Sequence, residues 1–255
     1  KRTKGSKNTF LGANAGTDTV GDDNIGLGFA TSKFVTGDNN TAIGLTAGNN
    51  VTGSNHVAIG SNAGYQVSGG DNTISIGTNA GQNTVGGSNF AIGTNSGQSV
   101  KGIINTAFGY GAGSNVAGNL NIAIGRNAGR NIAASQAISL GDTATGSAAN
   151  AIAIGTVSNA SGKSAIAIGA GAQATNTNSI SIGTGNVVSG IGSGALGDPS
   201  YVTGTGTYIV GNDNGTSAAP IAANNAGAFG NENLMSAAAT GSRVVGNAAN
   251  VTAAN

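Results

Sequence analysis

Asn150–Gly155 reads NAIAIG, and the same stretch returns as SAIAIG at Ser164–Gly169 and as NSISIG at Asn178–Gly183. A short apolar run that ends in glycine recurs in this way sixteen times over nearly the whole chain. The marker glycines are Gly12, Gly28, Gly44, Gly60, Gly77, Gly93, Gly109, Gly125, Gly141, Gly155, Gly169, Gly183, Gly197, Gly211, Gly230 and Gly246. Such a short repeat leaves no room for two helices or a propeller blade, but it fits one coil of a β-solenoid. The sequence therefore predicts an all-β parallel solenoid of 14–16-residue coils, with two short strands and two tight turns in each.

The spacing of the marker glycines divides the chain. Successive glycines are sixteen positions apart, and once seventeen, as far as Gly141, then fourteen as far as Gly211, and finally nineteen and sixteen. We predict a single domain over residues 1–255, with sixteen-residue coils at 1–141, fourteen-residue coils at 142–211 and irregular coils with an insertion at 212–255. The insertion, residues 212–229, is either a binding loop or a plain enlargement of one turn.

The composition excludes several classes of function. Only 7% of the 255 residues are charged, against about 25% in an ordinary soluble domain. The absence of Cys excludes disulfides, zinc–thiolate sites and iron–sulfur clusters, and His56 is the single imidazole. A net charge of +1 gives no footprint for nucleic acid, and the basic cluster Lys1, Arg2, Lys4 and Lys7 is interpreted as a frayed terminus. No apolar run approaches the roughly 20 residues of a membrane-spanning helix.

Period-two alternation sorts the residues before each marker glycine into two faces. Bulky pairs lie one and three positions before many of the marker glycines, as at Ile152/Ile154, and the position between them is nearly always small, mostly Ala or Ser. We expect the bulky rows, including Ile154 and Ile168, to fill the coil interior. We expect the small row, including Ala123 and Ala153, to face outward and to mediate self-association.

The second strand of each coil is expected to supply the opposite wall of the interior. Its predicted members are Ala47, Ala63, Ala80, Ala112 and Ala128, and then Val51, Val67, Val85, Val100, Val116 and Ile132.

The repeats resemble the head domains of trimeric autotransporter adhesins, the YadA-like family. The resemblance rests on NAIAIG at Asn150–Gly155, on sixteen-residue versions such as NIAIG at Asn121–Gly125, and on GDPSYVTGTGTYIVG at Gly197–Gly211. It implies a left-handed parallel β-roll assembled side by side as a homotrimer. It also implies display on the bacterial outer membrane, at the tip of a coiled-coil stalk exported by type V secretion.

The chain departs from the family pattern in two ways. The coils up to Gly141 are longer than the family's repeat, and the neck motif, the stalk heptads and the C-terminal membrane anchor are absent. We therefore expect a head or head fragment whose only link to the membrane is an anchor outside this sequence.

The resemblance implies a non-enzymatic adhesin that attaches to host matrix or cells, to other bacteria or to abiotic surfaces. It implies no cofactor, no catalytic residue and no metal site, and the ligand-binding residues are not identified. One alternative is an ice- or surface-binding solenoid, although Thr9, Thr41, Thr73 and Thr106 form no uninterrupted ladder. A second alternative is a carbohydrate-active β-helix protein, which would need larger coils and clustered acids.

A few residues invite a chemical role. His56 is interpreted as a turn or strand-edge residue in preference to a catalytic or metal-binding one. Asp22, Asp38 and Asp71 precede marker glycines by six positions, so the first two are expected to stack about 5 Å apart on adjacent coils. They either bind a cation or do acid–base work or, as we favour, are turn residues that bond their own backbone. Gly109–Gly113 is interpreted as a turn in preference to a phosphate-binding loop.

Four Asn residues satisfy the N-glycosylation sequon and are interpreted as chance matches in a chain rich in Asn, Ser and Thr. They are Asn50, Asn159, Asn214 and Asn250.

Overall fold

The computed structural model describes residues 3–253, so Lys1 and Arg2 of the basic cluster lie outside the described residues. The chain forms two compact units, Lys1–Gln136 and Ala137–Asn255. Within each unit short parallel strands stack coil upon coil, and the described residues contain no α-helix. The predicted all-β solenoid is confirmed, whereas the single-domain boundaries stay a prediction.

The first unit is built on one ladder of three-residue strands in chain order. The strands are β1 (Thr9–Leu11), β2 (Ile25–Leu27), β3 (Thr41–Ile43), β4 (Val57–Ile59), β5 (Ile74–Ile76), β6 (Phe90–Ile92), β7 (Thr106–Phe108) and β8 (Ile122–Ile124). Paired residues are offset by one repeat, as in Thr9↔Ile25, and the offset is one residue longer in Val57↔Ile74. Isolated parallel bridges such as Val20↔Thr36 form a second, sparser ladder. The register therefore reproduces the spacing of the marker glycines.

The second unit has two ladders of strands and one short additional sheet. Its main ladder contains β9 (Ile138–Leu140), β11 (Ile152–Ile154), β13 (Ile166–Ile168), β15 (Ile180–Ile182), β17 (Gly194–Leu196), β19 (Tyr208–Val210), β20 (Gly227–Phe229) and β22 (Arg243–Val245). The other ladder contains β10 (Thr145–Gly146), β12 (Asn159–Ala160), β14 (Gln173–Ala174), β16 (Val187–Val188) and β18 (Tyr201–Val202). β21 (Leu234–Met235) pairs with β23 (Asn250–Val251), and a 3-10 turn spans Ala237–Ala239.

The turns depend on residues that tolerate positive φ. The marker glycines stack directly on one another, so that a Cβ on Gly93 (φ +122°) would lie 2.7 Å from the carbonyl oxygen of Gly109. Asn occupies many of the remaining left-handed positions, including Asn62, Asn79 and Asn95 at φ 55–58°. Asn is among the residues that adopt this conformation at low cost. The abundance of Gly and Asn is therefore a requirement of the coil geometry.

The small row faces the interior, and the expected assignment of the two faces is wrong. Ala107, Ala123, Ala153 and Ala167 are buried within their own coils, whereas Ile154 is 37% exposed. Ile168, on the next coil, is only half-buried. Residues of the small row therefore cannot form an interface between copies of the folded chain.

The width of the coil explains this reversal. The wall opposite the small row carries glycine, and a Cβ on Gly113 would lie 2.8 Å from the Cβ of Ala107. Gly97 stands in the same way against Ala91, at 2.7 Å. Because the two walls already touch at the size of a methyl group where such a glycine faces an alanine, no branched side chain fits at these positions. The bulky rows must therefore point outward.

The predicted opposite wall is correct except at Val85. Its alanines and the other aliphatic residues are 0–3% exposed, but Val85 is 48% exposed and Thr84 lies inside in its place. Thr84 follows its marker glycine Gly77 by seven positions, as Val67 follows Gly60, whereas Val85 aligns with Ser68 and Lys101 in the sparser ladder. The Thr84 hydroxyl donates to the carbonyl oxygens of Gly81 (2.9 Å) and Gly97 (3.3 Å), so the buried oxygen is satisfied.

Candidate functional site

The most extensive feature of the first unit is an apolar outer face on its strand ladder. The side chains one and three positions before the marker glycines lie on this face, and Leu11, Phe108 and Ile124 are 72%, 51% and 38% exposed. The outer apolar face of the first unit consists of Leu11, Ile25, Leu27, Ile43, Val57, Ile59, Ile74, Ile76, Phe90, Ile92, Phe108, Ile122 and Ile124, and is interrupted by Thr9, Thr41 and Thr106.

The second unit carries a corresponding outer apolar face. Leu196 and Val210 are 41% and 40% exposed, and Phe229 is 63% exposed. The face consists of Ile138, Leu140, Ile152, Ile154, Ile166, Ile168, Ile180, Ile182, Leu196, Tyr208, Val210, Phe229 and Val245.

The outer apolar face of the first unit is uncharged along its whole length. None of the strands β1–β8 contains a Lys, Arg, Asp or Glu residue. Neighbouring coils place equivalent side chains about 4.8 Å apart, so the side chains one position before the marker glycines form a continuous apolar row, and the row three positions before them is broken only at Thr9, Thr41 and Thr106. A contiguous apolar patch is unusual on a soluble monomer and marks an interaction surface. Its burial would be favourable by about 25 cal/mol for each Å² removed from water.

The predicted Asp column connects neighbouring coils through backbone hydrogen bonds. The Ser6 N–H donates to Asp22 Oδ1 (2.5 Å), and the Asp22 N–H donates to Asp38 Oδ1 (2.8 Å). Asp71 Oδ1 accepts a hydrogen bond from the Ser54 N–H in the same way (2.8 Å). The carboxylates therefore bond the backbone of the preceding coil and not their own backbone. The described residues contain no group of three or more His, Asp or Glu side chains able to hold a metal ion.

A ladder of buried Asn side chains runs inside the first unit. Asn24 Oδ1 accepts a hydrogen bond from the Asn40 N–H (3.0 Å), and Asn40 Nδ2 donates to the carbonyl oxygen of Gly53 (3.0 Å). Farther along the ladder, the Asn121 N–H donates to Asn105 Oδ1 (3.1 Å) in the same way. Each side chain thus satisfies backbone groups on a neighbouring coil, which buried polar groups require.

His56 occupies one position of this Asn ladder, immediately before β4. Its N–H donates to Asn40 Oδ1 (3.0 Å), and its Nδ1 accepts from the Thr73 N–H (3.2 Å). The residue is only 5% exposed, and its Nε2 has no hydrogen-bond partner. Burial lowers the pKa of His56 below 6.5, and the opposing charge of Asp71 only partly offsets that effect. His56 is therefore a neutral interior residue, and its Nδ1 is already engaged.

We expect the stability of the first unit to fall on acidification because of His56. The folded-state pKa lies below the unfolded value of 6.5, so the unfolded chain binds more protons in the interval between them. The contribution of neutral His56 to the free energy of unfolding is complete above pH 6.5, and it is lost as the pH falls toward the folded-state pKa. Each kcal/mol lost would lower the Tm by about 2–4 °C. Thermal unfolding at pH 7.5 and pH 5 measures the effect.

His56→Asn is the matched control, because Asn is the residue used elsewhere in the ladder and does not titrate in this range. The variant should lose much of the difference in Tm between the two pH values. An undiminished difference would assign the acid sensitivity to other groups.

The glycine motif at Gly109–Gly113 and three of the sequon Asn residues lie in turns, in strands or in the interior of the coils. Gly111 and Gly113 have φ of +63° and +58° in the turn after β7, and no helix follows them. The sequon residue Asn159 lies in strand β12, Asn250 lies in β23, and Asn214 is fully buried. The predicted turn at Gly109–Gly113 is correct.

The insertion at 212–229 folds back on itself in a tight turn. The Thr216 N–H donates to the Ala219 carbonyl oxygen (2.9 Å), and the Ala219 N–H donates to Thr216 Oγ1 (3.0 Å). A shallow cavity of about 270 Å³ lies beside this turn. Its lining residues are Ala219, Pro220, Leu234, Met235, Ser236 and Asn250. The binding role of the insertion stays a hypothesis.

Sequence reasoning missed the outer apolar face because it placed the bulky rows inside. The sequence did contain a signal for the correct orientation of the faces, namely a second glycine four positions after several marker glycines. These glycines, Gly48, Gly97 and Gly113, lie across the coil from the small row and leave space only for small side chains. No helix within residues 3–253 is both long and apolar enough to cross a membrane.

Comparison with known proteins adds no assignment. A scan against protein-family models and a search of curated proteins both return no match for this chain.

Proposed function

We propose that the chain is the non-enzymatic head of a trimeric bacterial surface adhesin, similar to the YadA-like family. The observation that carries the proposal is the outer apolar face, an uncharged aliphatic surface repeated from coil to coil. In this assignment three copies pack side by side through that face, and the polar turns stay in contact with solvent. The head would be displayed outside the cell, on the bacterial outer membrane.

The shape of the coil supports self-association. An interior lined mostly by Ala, Ser, Gly and Val, with only a few Ile side chains, buries little apolar area, and thin cores of this kind need additional stabilisation. The aliphatic side chains that would enlarge the core lie on the outside, as Ile43 and Ile59 do at 37% and 36% exposure. A closed cyclic assembly buries the same face of every copy and leaves no copy unpaired. The proposal of three copies is supported by the resemblance of the NAIAIG repeats to the trimeric YadA-like family.

The remaining surface supports adhesion more than catalysis. Outside the strands the coils present mostly Asn, Ser, Thr and Gly, and only 7% of the chain is charged. Such a surface suits weak contacts repeated along the stack, with matrix proteins, host cells, other bacteria or abiotic materials as partners. Linking three copies multiplies the strength of weak contacts through avidity.

The two alternative functions have less support from the residues on the coil surface. Of the Thr residues considered for an ice-binding ladder, Thr73 is buried, and Thr9, Thr41 and Thr106 are separated along the outer face by aliphatic residues. Even the longest coil, from Tyr208 to its partner Gly227, is smaller than the coils expected of a carbohydrate-active β-helix.

Light scattering and a surface-binding assay test the proposal. The expected mass is about three times the 24.1 kDa of the chain. Beads coated with the protein should adhere to at least one of a panel of matrix proteins or to bare polystyrene, whereas albumin-coated beads should not. A mass that stays at 24.1 kDa would overturn the trimer, and a trimer that adheres to nothing on the panel would overturn the adhesin assignment.

A further inference from the structure

One coil of the first unit contains a polar pit where an external ladder of carboxamides is interrupted. Asn62 Nδ2 donates to Asn79 Oδ1 (3.2 Å), and Asn79 Nδ2 donates to Asn95 Oδ1 (3.0 Å). The next position of this column is Gly111, and the column resumes with Asn127 one coil later. Gly111 therefore removes one carboxamide from a regular series.

The neighbouring column shortens in the same coil. On four successive coils this column contains Gln82, Gln98, Ser114 and Arg130. The side chains of Gln82 and Gln98 are hydrogen-bonded to each other (2.8 Å). The Ser114 hydroxyl is buried and donates to the carbonyl oxygens of Asn95 (2.7 Å) and Gly111 (3.0 Å). Because both columns lose their long side chains together, a pit of about 150 Å³ remains between the flanking coils.

The walls of the pit are polar and carry a positive charge. The lining residues are Asn95, Gln98, Tyr110, Gly111, Ser114, Asn127 and Arg130. Arg130 is exposed and its Nη1 makes a long hydrogen bond to Asn127 Oδ1 (3.4 Å), while the Tyr110 side chain is 56% exposed. No carboxylate lines the pit.

The surrounding sequence reinforces this charge. The three coils that form the pit, residues 93–141, contain no Asp or Glu, whereas they do contain Lys101 and Arg130. An anionic group that approaches the pit therefore meets no fixed negative charge on the same stretch of chain.

We propose that this pit binds one carboxylate-bearing sugar unit of a glycan. The guanidinium of Arg130 can bind a carboxylate in bidentate fashion, and the carboxamides of Asn95, Gln98 and Asn127 offer both donors and acceptors to ring hydroxyls. The exposed ring of Tyr110 offers an apolar surface with a polar tip to the sugar. The volume suits a single sugar ring and is well below the roughly 300–1,000 Å³ of a drug-sized site.

This proposal deepens the adhesin function and rests on it for its biological meaning, since it names a ligand class for the head. The chemistry of the lining residues also distinguishes this site from a neutral-sugar site and from an inorganic-anion site. A neutral sugar offers no carboxylate to the guanidinium of Arg130, and an inorganic anion offers no ring to the face of Tyr110.

Saturation-transfer NMR on the full chain tests the proposal with glucuronate as the probe. Glucose is the matched neutral ligand, because it differs from glucuronate only in having a hydroxymethyl group in place of the carboxylate. We expect saturable transfer to glucuronate, with glucose weaker by about tenfold or more. Arg130→Gln should weaken glucuronate to a similar extent while leaving the circular dichroism spectrum unchanged. Equal binding of the two sugars, or unchanged binding by Arg130→Gln, would overturn the proposal.

Gly111→Asn is the decisive variant, because it fills the pit with the residue that the column uses elsewhere. Gly111 has φ +63°, close to the 55–58° of Asn62, Asn79 and Asn95, so Asn is compatible with the backbone. An added Cβ would lie 2.5 Å from Asn127 Oδ1, the mobile end of a side chain that can move aside. We expect a folded protein that no longer binds glucuronate. Wild-type affinity in this variant would place any sugar site elsewhere and contradict the assignment.

Two further outcomes separate this proposal from others. Displacement of glucuronate by an equal concentration of inorganic sulfate would reduce the pit to a general anion site and overturn the sugar assignment. A trimer that adheres to surfaces but does not bind glucuronate would overturn only the pit, whereas glucuronate binding by a non-adherent chain would overturn only the adhesin function.

Discussion

Replacing Ala153 with Trp is expected to destroy the coil that contains it. Ala153 is fully buried and lies in register between Ser139 and Ala167 on the neighbouring coils. The surrounding cluster is made of alanines, including Ala144 and Ala160, so no flexible side chain is available to move aside. Overpacking a core usually costs about 1–3 kcal/mol, and an indole in this space should exceed that range.

Thermal unfolding followed by circular dichroism measures this effect. A loss of about 3 kcal/mol would lower the Tm by about 6–12 °C, and a larger loss would leave the second unit unfolded at room temperature. Gln173→Trp is the matched control, because it places the same side chain at an exposed strand position of the same unit, in β14 and outside the outer apolar face. The control should retain its β spectrum and nearly its full Tm. Similar losses for the two variants would contradict the assignment of inner and outer faces.

The second large effect is expected at the outer apolar face. The double variant Phe108→Asp/Ile124→Asp puts two carboxylates on adjacent coils at positions that are 51% and 38% exposed in the single chain. Folding of one copy should change little, because both side chains already reach water. In the assembly, however, each carboxylate would be buried without a partner, at a cost of several kcal/mol. A loss of about 4 kcal/mol weakens association about a thousandfold.

The measurement is the light-scattering mass over a range of concentrations, with the circular dichroism spectrum recorded in parallel. The double variant should show the 24.1 kDa mass of a single chain and keep a β spectrum. Ala117→Asp/Ala133→Asp adds the same charges to exposed positions of neighbouring coils outside the strands, and it should stay assembled. If both double variants keep the assembled mass, the outer apolar face is not the interface.

The repeat alone was enough to predict the solenoid, because the pairing register of a stacked coil follows from the coil length. The spacings between successive marker glycines reappear as the offsets of paired strands, including the two irregular ones at Val57↔Ile74 and Tyr208↔Gly227. Positive φ at Gly and Asn was also predictable from composition, since few other residues adopt it without strain. Local chemistry therefore determined the coil, its length and its turns.

The direction in which each face points was decided by tertiary structure. Period-two alternation separates Ile152 and Ile154 from Ala153, but it is symmetric and does not say which set points inward. The distance between the two walls settles the matter, and that distance depends on glycines such as Gly97 and Gly113, which meet Ala91 and Ala107 across the coil. The hydrophobic effect favours bulky residues inside. The space between a glycine and the facing alanine, however, admits no side chain larger than a methyl group, so sterics decide which face points inward.

The interior position of Thr84 could be read from the repeat, because Thr84 follows Gly77 by seven positions as Val67 follows Gly60. The pit in the first unit, by contrast, depended on tertiary structure. The pit at Gly111 exists because Ser114 in the adjacent column is short in the same coil. The sequence by itself determined the repeating coil, since backbone pairing and turn geometry are local. Only the stacked structure decided which side chains are inside, which are exposed and which lie together, because those properties depend on distances between residues far apart in the chain.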